Sequence, residues 1–154
     1  MNLFLSQFVN SIDKKGRVSV PASYRQSAGC SENFFGIVVY QSIRNHCIEA
    51  CSLARLQELA KMIQFLDPYS DERDAFETVI LGGAVQLSFD PEGRVVIPKH
   101  LLEFADLDIQ ANFVGKGQVF EIWNPDIFSK HLIKAKESAV QNRLLLKNIQ
   151  QGNV

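Results

Sequence analysis

The chain has 154 residues, of which 46% are hydrophobic and 21% are charged, and its formal net charge at pH 7 is −1. This composition is typical of a globular protein and excludes an intrinsically disordered one. No apolar run approaches the roughly 20 residues that span a bilayer, which excludes a helical membrane protein. The first residues lack the basic and apolar regions of a secretory signal, so we expect a cytoplasmic protein.

The chain begins with a predicted β-hairpin followed by a short helix. Alternating apolar residues lead into the turn Lys14-Lys15-Gly16, and a second β-rich run continues to Pro21. Pro21 is suited to open a helix and Gly29 to end it. Two more strands are predicted at 34–40 and 45–50, and a helix capped by Ser52 is predicted at 53–65.

A predicted helix at 71–81, capped by Ser70, leads into a second half with the same order of elements. After the second hairpin, Pro98 opens a short helix, and strands are predicted at 112–115 and 119–123. Pro125 begins a final helix that is predicted to extend to Leu146. Glu49 and Glu121 occupy matching places in the last strand of each half, and we interpret both as structural.

A ten-residue stretch that includes the first turn occurs twice. The copies are Ile12-Asp-Lys-Lys-Gly-Arg-Val-Ser-Val-Pro21 and Phe89-Asp-Pro-Glu-Gly-Arg-Val-Val-Ile-Pro98, displaced by 77 positions. Both follow the pattern Asp-x-x-Gly-Arg-aliphatic-x-aliphatic-Pro, which indicates an internal duplication. We therefore predict two domains, at 1–69 and 70–154, each a hairpin unit with its own helix.

Each residue type in the repeated pattern has a structural or functional interpretation. Asp13 and Asp90 are interpreted as residues that brace the turns, because aspartate is common in turns. Gly16 and Gly93 supply positive φ angles at low cost. Arg17 and the lysines beside it are expected at an exposed hairpin tip, where function is commonly carried.

Charge is distributed unevenly along the chain. Residues 1–31 carry four basic side chains against one acidic, residues 67–108 carry three basic against ten acidic, and residues 130–147 carry five basic against one acidic. Such asymmetry allows one face to meet an anionic partner although the net charge is near zero.

The side chains that could carry chemistry do not form a recognisable site. The three cysteines, Cys30, Cys47 and Cys51, fit no disulfide framework. Only Cys47, Cys51 and His46 cluster in sequence, and three ligands are too few for a structural zinc site. A Gly-rich phosphate loop and a nucleophile elbow are absent, and the histidines are far apart in sequence. We expect no enzymatic activity, no metal, no cofactor and no small-molecule substrate.

The duplicated pattern, together with Gly82-Gly83-Ala84 and Val119-Phe-Glu-Ile-Trp123, resembles the MraZ family of bacterial transcriptional regulators, relatives of the AbrB/MazE swapped-hairpin proteins. The resemblance extends from Phe4 to about Ala139. It implies an α+β, β-rich fold in which two pseudo-symmetric swapped-hairpin halves interleave into one barrel with flanking helices. It also implies a ring-shaped homo-oligomer, associated with the nucleoid, on promoter direct repeats of the cell-division and cell-wall gene cluster.

For such a regulator, the expected contacts to double-stranded DNA come from basic side chains at and near the hairpins. Lys14 and Lys15 would neutralise phosphates, while Arg17 has the planar fork that suits guanine or a bidentate phosphate contact. Arg25 would position the DNA backbone, and Arg94 is the second-copy equivalent of Arg17. Since Pro91-Glu92 replaces Lys14-Lys15 in the second copy, we expect the first hairpin to dominate.

One non-enzymatic alternative remains open. An antitoxin-like or purely structural interaction module would share the swapped hairpin without specific DNA binding. Antitoxins of this kind usually carry a disordered toxin-binding tail, whereas the C-terminal part of this chain is predicted to be helical. A salt titration on random and direct-repeat DNA separates the two interpretations.

Overall fold

The computed structural model describes residues 2–152. The first half contains β1 (Gln7–Ser11), β2 (Arg17–Ser19), α1 (Ala22–Ala28), β3 (Cys30–Ser31), β4 (Phe34–Gln41), β5 (Ile48–Cys51) and α2 (Leu53–Gln64). The connection consists of α3 (Asp71–Phe76) and a π-helical segment (Glu77–Leu81). The second half contains β6 (Val85–Ser88), β7 (Arg94–Val96), α4 (Lys99–Phe104), β8 (Gln110–Gly115), β9 (Phe120–Trp123), α5 (Pro125–Gln141) and α6 (Arg143–Gln150).

Local signals in the sequence place most of these boundaries. The Ser52 and Ser70 side chains accept hydrogen bonds from backbone N–H groups three residues later, as N-caps do. Gly29 ends α1 with a φ of 66°. Two predictions were too simple: the helix at 71–81 changes to π-helical geometry at Glu77, and the C-terminal helix is interrupted at Asn142.

The strands form one seven-stranded sheet and one two-stranded ribbon, and every pairing is antiparallel. The order in the larger sheet is β1-β8-β9-β5-β4-β3, and β6 pairs with β4 as well. The first strand of each half therefore pairs with a strand of the other half: β1 with β8, and β6 with β4. The ribbon is made of β2 and β7, which follow the two repeated turns.

The antiparallel sheets and flanking helices confirm the α+β, β-rich class. A closed barrel is not found among the strand pairings of residues 2–152. In the larger sheet β1, β3 and β6 each pair with a single neighbouring strand in the described residues, since β2 and β7 pair with each other rather than extending it. A single bridge between Ile12 and Val18 links the ribbon to the residues that follow β1.

The main core lies beneath this sheet and ribbon and is rich in aromatic contacts. Tyr24 of α1 is fully buried, with its ring 4.8 Å from that of Phe120 and 5.5 Å from that of Phe4. Burial raises the pKa of the Tyr24 hydroxyl to about 12, and this group donates to the Ser6 carbonyl at 2.7 Å.

A second cluster packs Val38, Tyr40, Cys51 and Ile80 together with apolar residues of α2. Val18 and Val95 of the ribbon belong to the main core. Their burial determines which face of the ribbon is exposed.

The chain divides after Asn124 into two compact units. The first contains both sheets, and the second contains α5 and α6.

Within residues 2–152, no helix is both long and apolar enough to cross a membrane. Cys47 and Cys51 are buried, Cys30 is exposed, and all three are free thiols. No group of three or more potential metal ligands occurs in the described residues.

Candidate nucleic-acid interface

The first repeated turn is held by the carboxylate of Asp13. Its Oδ1 accepts the backbone N–H groups of Lys15 and Arg17, each at 2.9 Å, and its Oδ2 accepts Nε of Arg17 at 2.6 Å. The backbone closes the same turn, because Asp13 N–H donates to the Arg17 carbonyl at 3.0 Å. Asp13 therefore braces the turn, and it also fixes the direction of the Arg17 side chain through Nε.

The second turn repeats this geometry with different neighbours. Asp90 Oδ1 accepts the N–H groups of Glu92 and Arg94 at 2.9 and 2.8 Å, and Asp90 Oδ2 accepts Arg94 Nε at 2.8 Å. A second carboxylate approaches here, since Glu92 Oε2 lies 3.6 Å from an Arg94 terminal nitrogen. Arg94 is thus shared between two acidic groups, whereas the only ion pair of Arg17 within residues 2–152 is with Asp13.

These hydrogen bonds keep the turn carboxylates ionised. Donation from the backbone N–H of Arg17 lowers the pKa of Asp13, and donation from the backbone N–H of Arg94 lowers the pKa of Asp90. The side-chain bond to Asp90 raises the pKa of Arg94. Both braces are therefore charged pairs at neutral pH.

The ribbon brings the two repeated arginines onto one face. The register pairs Arg17 with Val96, Val18 with Val95, and Ser19 with Arg94. Val18 and Val95 are each 1% exposed and point into the core. Because side chains alternate along a strand, Arg17, Ser19, Arg94 and Val96 share the opposite, outward face. Sequence reasoning identified the two arginines but did not predict that they lie diagonally across one face of the ribbon.

Lys14 and Lys15 are exposed at the tip of the first turn. Neither forms an ion pair with any residue between 2 and 152. Their ammonium groups are accordingly available to an anionic partner. At the second tip the corresponding positions are Pro91 and Glu92, so the positive charge of the ribbon is concentrated at its first-turn end.

Arg25 lies against the second turn. A Cβ built on Gly93 would lie 2.6 Å from the guanidinium carbon of Arg25, and a terminal nitrogen of Arg25 donates to the Val20 carbonyl. The equivalent position in the second half is Leu102, whose Cδ1 lies 3.6 Å from a Cβ built on Gly16. Arg25 therefore packs against the second turn. Its expected contact with the DNA backbone stays a prediction.

Two glycines permit these turns. Gly16 and Gly93 have φ angles of 81° and 78°, which disfavour other residues. The Gly16 carbonyl accepts a hydrogen bond from Ile97 N–H at 3.0 Å, and the Gly93 carbonyl accepts one from Val20 N–H at 3.1 Å. Each turn is therefore hydrogen-bonded to the residue that follows the ribbon strand of the other repeat. Asn10, which sequence reasoning did not single out, adds a 2.7 Å bond from Nδ2 to the Ser19 carbonyl.

Glu49 and Glu121 pair directly across β5 and β9. Glu121 is buried and accepts from Trp123 Nε1 at 3.0 Å, Asn45 Nδ2 at 3.2 Å and Lys116 Nζ at 3.3 Å. Burial alone would raise its pKa, but these donors outweigh that effect and lower it. Glu49 accepts a hydrogen bond from the Tyr40 hydroxyl, whose own pKa is raised by burial. These satisfied carboxylates agree with the structural interpretation.

Comparison with known proteins places the chain in one family. Residues 80–148 match the family model described as "MraZ protein, putative antitoxin-like". The transcriptional regulator MraZ of Rickettsia typhi (strain ATCC VR-144 / Wilmington) is 55% identical over 149 residues, covering 97% of this chain and 99% of that protein. The chain belongs to the MraZ family.

Other MraZ proteins are similar over the same span. The transcriptional regulator MraZ of Rickettsia canadensis (strain McKiel) is 56% identical over 148 residues, and that of Rickettsia bellii (strain OSU 85-389) is 57% identical over 149. Each alignment covers 96% of this chain and 99% of the relative. Because these alignments span both repeated turns, the MraZ likeness includes the whole ribbon described above.

Proposed function

We propose that this MraZ family member is a sequence-specific DNA-binding transcriptional regulator that acts as a ring-shaped homo-oligomer. Its sites are promoter direct repeats of the cell-division and cell-wall gene cluster, and it works in the cytoplasm at the nucleoid. The observation that carries the proposal is the pair of carboxylate-braced arginines, Arg17 and Arg94, on the outward face of one two-stranded ribbon. The names of the rickettsial relatives support a role in transcription.

The ribbon is the reading element in this proposal. A two-stranded antiparallel ribbon fits the major groove of B-DNA, where each base pair presents a distinct pattern of donors and acceptors. Asp13 engages Nε of Arg17, which leaves the terminal nitrogens of the fork to meet guanine O6 and N7. Since the Arg17 side chain is already oriented by Asp13, less conformational entropy is lost on binding.

The lysines at the first tip supply affinity without sequence preference. Lys14 and Lys15 neutralise phosphates, and counterion release makes the interaction weaken steeply with salt. Glu92 repels phosphate at the second tip, so the first hairpin dominates and Arg94 has the smaller role. Arg25, whose guanidinium lies close to Gly93 of the second turn, adds a contact to the DNA backbone at the edge of the ribbon.

Assembly of several subunits supplies what one ribbon lacks. One ribbon makes few contacts, but ribbons spaced to match direct repeats bind with avidity. Apolar surface for subunit contact is present near the end of α2, where Phe65 is 91% exposed and Tyr69 is 96% exposed. Beside them is an apolar groove of about 250 Å³, lined by Ile43, Leu59, Met62, Ile63, Leu66, Phe76 and Ile80. Large exposed apolar patches typically mark protein–protein contacts.

Two interleaved swapped-hairpin halves, at 1–69 and 70–154, account for the paired turns. The reciprocal pairing of β1 with β8 and of β6 with β4 supports this organisation. In this arrangement the halves depend on each other, so that one chain presents both repeated turns from a single ribbon.

A salt titration of DNA binding tests the proposal. The protein is titrated against a direct-repeat promoter fragment and against a scrambled duplex of equal length, by fluorescence anisotropy. We expect tighter binding to the repeats and a steep salt slope that falls by about one unit in a Lys14→Ala variant. Lys99→Ala, which changes an exposed lysine of α4 outside both repeated turns, serves as the control. Equal binding to both duplexes would overturn the proposal.

The competing function is an antitoxin-like or structural interaction module, which the description of the matching family model favours. In that case the ribbon would stabilise the fold and the groove beside α2 would receive a protein partner. The same titration decides between the two, because such a module binds neither duplex at low salt.

A further inference from the structure

The outward face of the ribbon carries one apolar side chain among three polar ones. Val96 is 54% exposed and lies directly opposite Arg17, while Ser19 and Arg94 form the neighbouring pair. Val18 and Val95 between them are turned into the core and cannot reach a partner on this face. The face therefore has two ends, one with Arg17 and Val96 and the other with Arg94 and Ser19.

The distance between Val96 and Arg17 sets what Val96 can touch. Directly opposed residues of an antiparallel pair have Cβ atoms about 4.5–5.5 Å apart. Base pairs are stacked about 3.4 Å apart. A base edge contacted by Arg17 therefore has a neighbouring base pair within reach of Val96.

The chemistry of the major groove narrows this contact to one group. The edges of the four base pairs present nitrogen and oxygen atoms there, and the apolar exception is the C5-methyl group of thymine. A valine on the face would leave polar edges unsatisfied, but it can bury the thymine methyl against its own methyl groups.

We propose that Val96 determines specificity by contacting the C5-methyl group of a thymine next to the base that Arg17 contacts. This inference rests on the proposed function and adds to it a second reading residue from the other repeat. It also gives the second half of the chain a role on DNA that does not depend on the charge of its tip. The first half then supplies the guanidinium, and the second half supplies the apolar contact.

Replacing thymine by uracil tests this contact directly, because uracil lacks only the methyl group. Each thymine of the direct-repeat fragment is replaced in turn, and the affinities of the wild-type protein and of Val96→Ala are measured by fluorescence anisotropy. We expect one replacement per repeat to weaken wild-type binding about fourfold, the ratio for losing one buried methyl group. Val96→Ala should bind that thymine fragment more weakly and should not distinguish it from the uracil fragment.

Val9→Ala is the matched control, since Val9 is a strand valine with 52% exposure that belongs to β1 instead of the ribbon. It should keep the full preference for thymine. Thermal unfolding of each variant establishes that the ribbon is folded. If each replacement of thymine by uracil weakens binding by the same factor for Val96→Ala as for the wild-type protein, the inference is overturned.

The wild-type titration also separates this inference from the proposed function. If the wild-type protein prefers the repeats over scrambled DNA but tolerates uracil at every thymine, the Val96 contact is wrong and the proposed regulator stands. If it shows no preference for the repeats, both are wrong.

Discussion

Val18 and Val95 lie opposite each other in the β2–β7 ribbon, although 77 positions separate them in the chain. They are equivalent residues of the two repeated stretches, so the pseudo-symmetry of the sequence passes through this pair. Glu49 and Glu121, which occupy matching places in the last strand of each half, also lie opposite each other in the larger sheet. Because equivalent residues face each other, both braced arginines necessarily appear on one surface.

Loss of Arg17 should affect DNA binding more than loss of Arg94. We expect Arg17→Ala to weaken binding to the direct-repeat fragment by about 10- to 100-fold, the range for a bidentate base contact. Arg94→Ala should have a smaller effect, since Asp90 and Glu92 both lie beside that guanidinium. Gel-shift titrations of the two variants measure the difference.

Arg17→Lys provides the control for charge, because lysine keeps the positive charge but not the fork. It should bind scrambled DNA normally and lose preference for the repeats. Asp13 still accepts the backbone N–H groups of Lys15 and residue 17 in these variants, so the turn persists. Equal losses for Arg17→Ala and Arg94→Ala would contradict the ranking.

Gly93→Ala should destabilise the protein through both its backbone and Arg25. A positive φ alone costs about 1–2 kcal/mol for a residue with a Cβ. Gly117→Ala isolates that cost, because Gly117 has a φ of 85° and, apart from its chain neighbours, no residue between 2 and 152 has an atom within 4 Å of an added Cβ. At Gly93 the added carbon would also displace the Arg25 guanidinium, which would disrupt its hydrogen bond to the Val20 carbonyl. Denaturant unfolding should therefore give the larger loss for Gly93→Ala.

A double-mutant cycle assigns the additional loss to Arg25. In the Arg25→Ala background, Gly93→Ala should cost no more than Gly117→Ala does in the wild-type background. If the cost is the same with and without the Arg25 side chain, the guanidinium is not what limits this position.

The turn carboxylates should make stability depend on pH in acid. The pKa of Asp13 and of Asp90 lies below the ordinary value of 3.8 in the folded protein. Their stabilisation is therefore complete above about pH 4 and is lost as the pH falls through the folded pKa. The thermal midpoint of an Asp13→Asn/Asp90→Asn variant should lie below that of the wild type at pH 6, and the difference should shrink below about pH 4.

Asp108→Asn is a suitable control for this comparison, since Asp108 is exposed and no side-chain hydrogen bond of Asp108 occurs among residues 2–152. Its midpoint should follow the wild-type curve at every pH. The assignment would be contradicted if the difference in thermal midpoint between the double variant and the wild type stayed constant down to pH 2.5. That pH lies about 1.3 units below the ordinary pKa of an aspartate.

The exposed aromatic residues beyond α2 should hold subunits together. We expect Phe65→Ser/Tyr69→Ser to reduce the sedimentation coefficient of the oligomer while leaving the circular dichroism spectrum unchanged, because both side chains are more than 90% exposed in the single chain. Ile109→Ser, at a 69% exposed position before β8, is the control and should sediment as the wild type does. An unchanged oligomer in the double variant would place the interface elsewhere.

Local features could be predicted from the sequence, whereas the pairing of distant strands could not. The braced turns depend on an Asp and a Gly within five residues of each other, and the caps at Ser52 and Ser70 depend on groups three residues away. Alternation identified the strands, but it does not specify which strand pairs with which. The family resemblance implied that the two halves interleave, but the specific pairings of β1 with β8 and of β6 with β4, and the packing of Arg25 against Gly93, came only from the structure.

The exchange of first strands has a consequence for how such a chain could arise. Neither half completes its own sheet, so a polypeptide with one repeat would have to meet a second copy before either could fold, and its stability would depend on concentration. Joining both repeats through α3 replaces that encounter by closure of a loop, whose entropic cost grows only slowly with length. Fusion also allows the two copies to diverge, which is how one tip can keep lysines while the other carries Pro91 and Glu92.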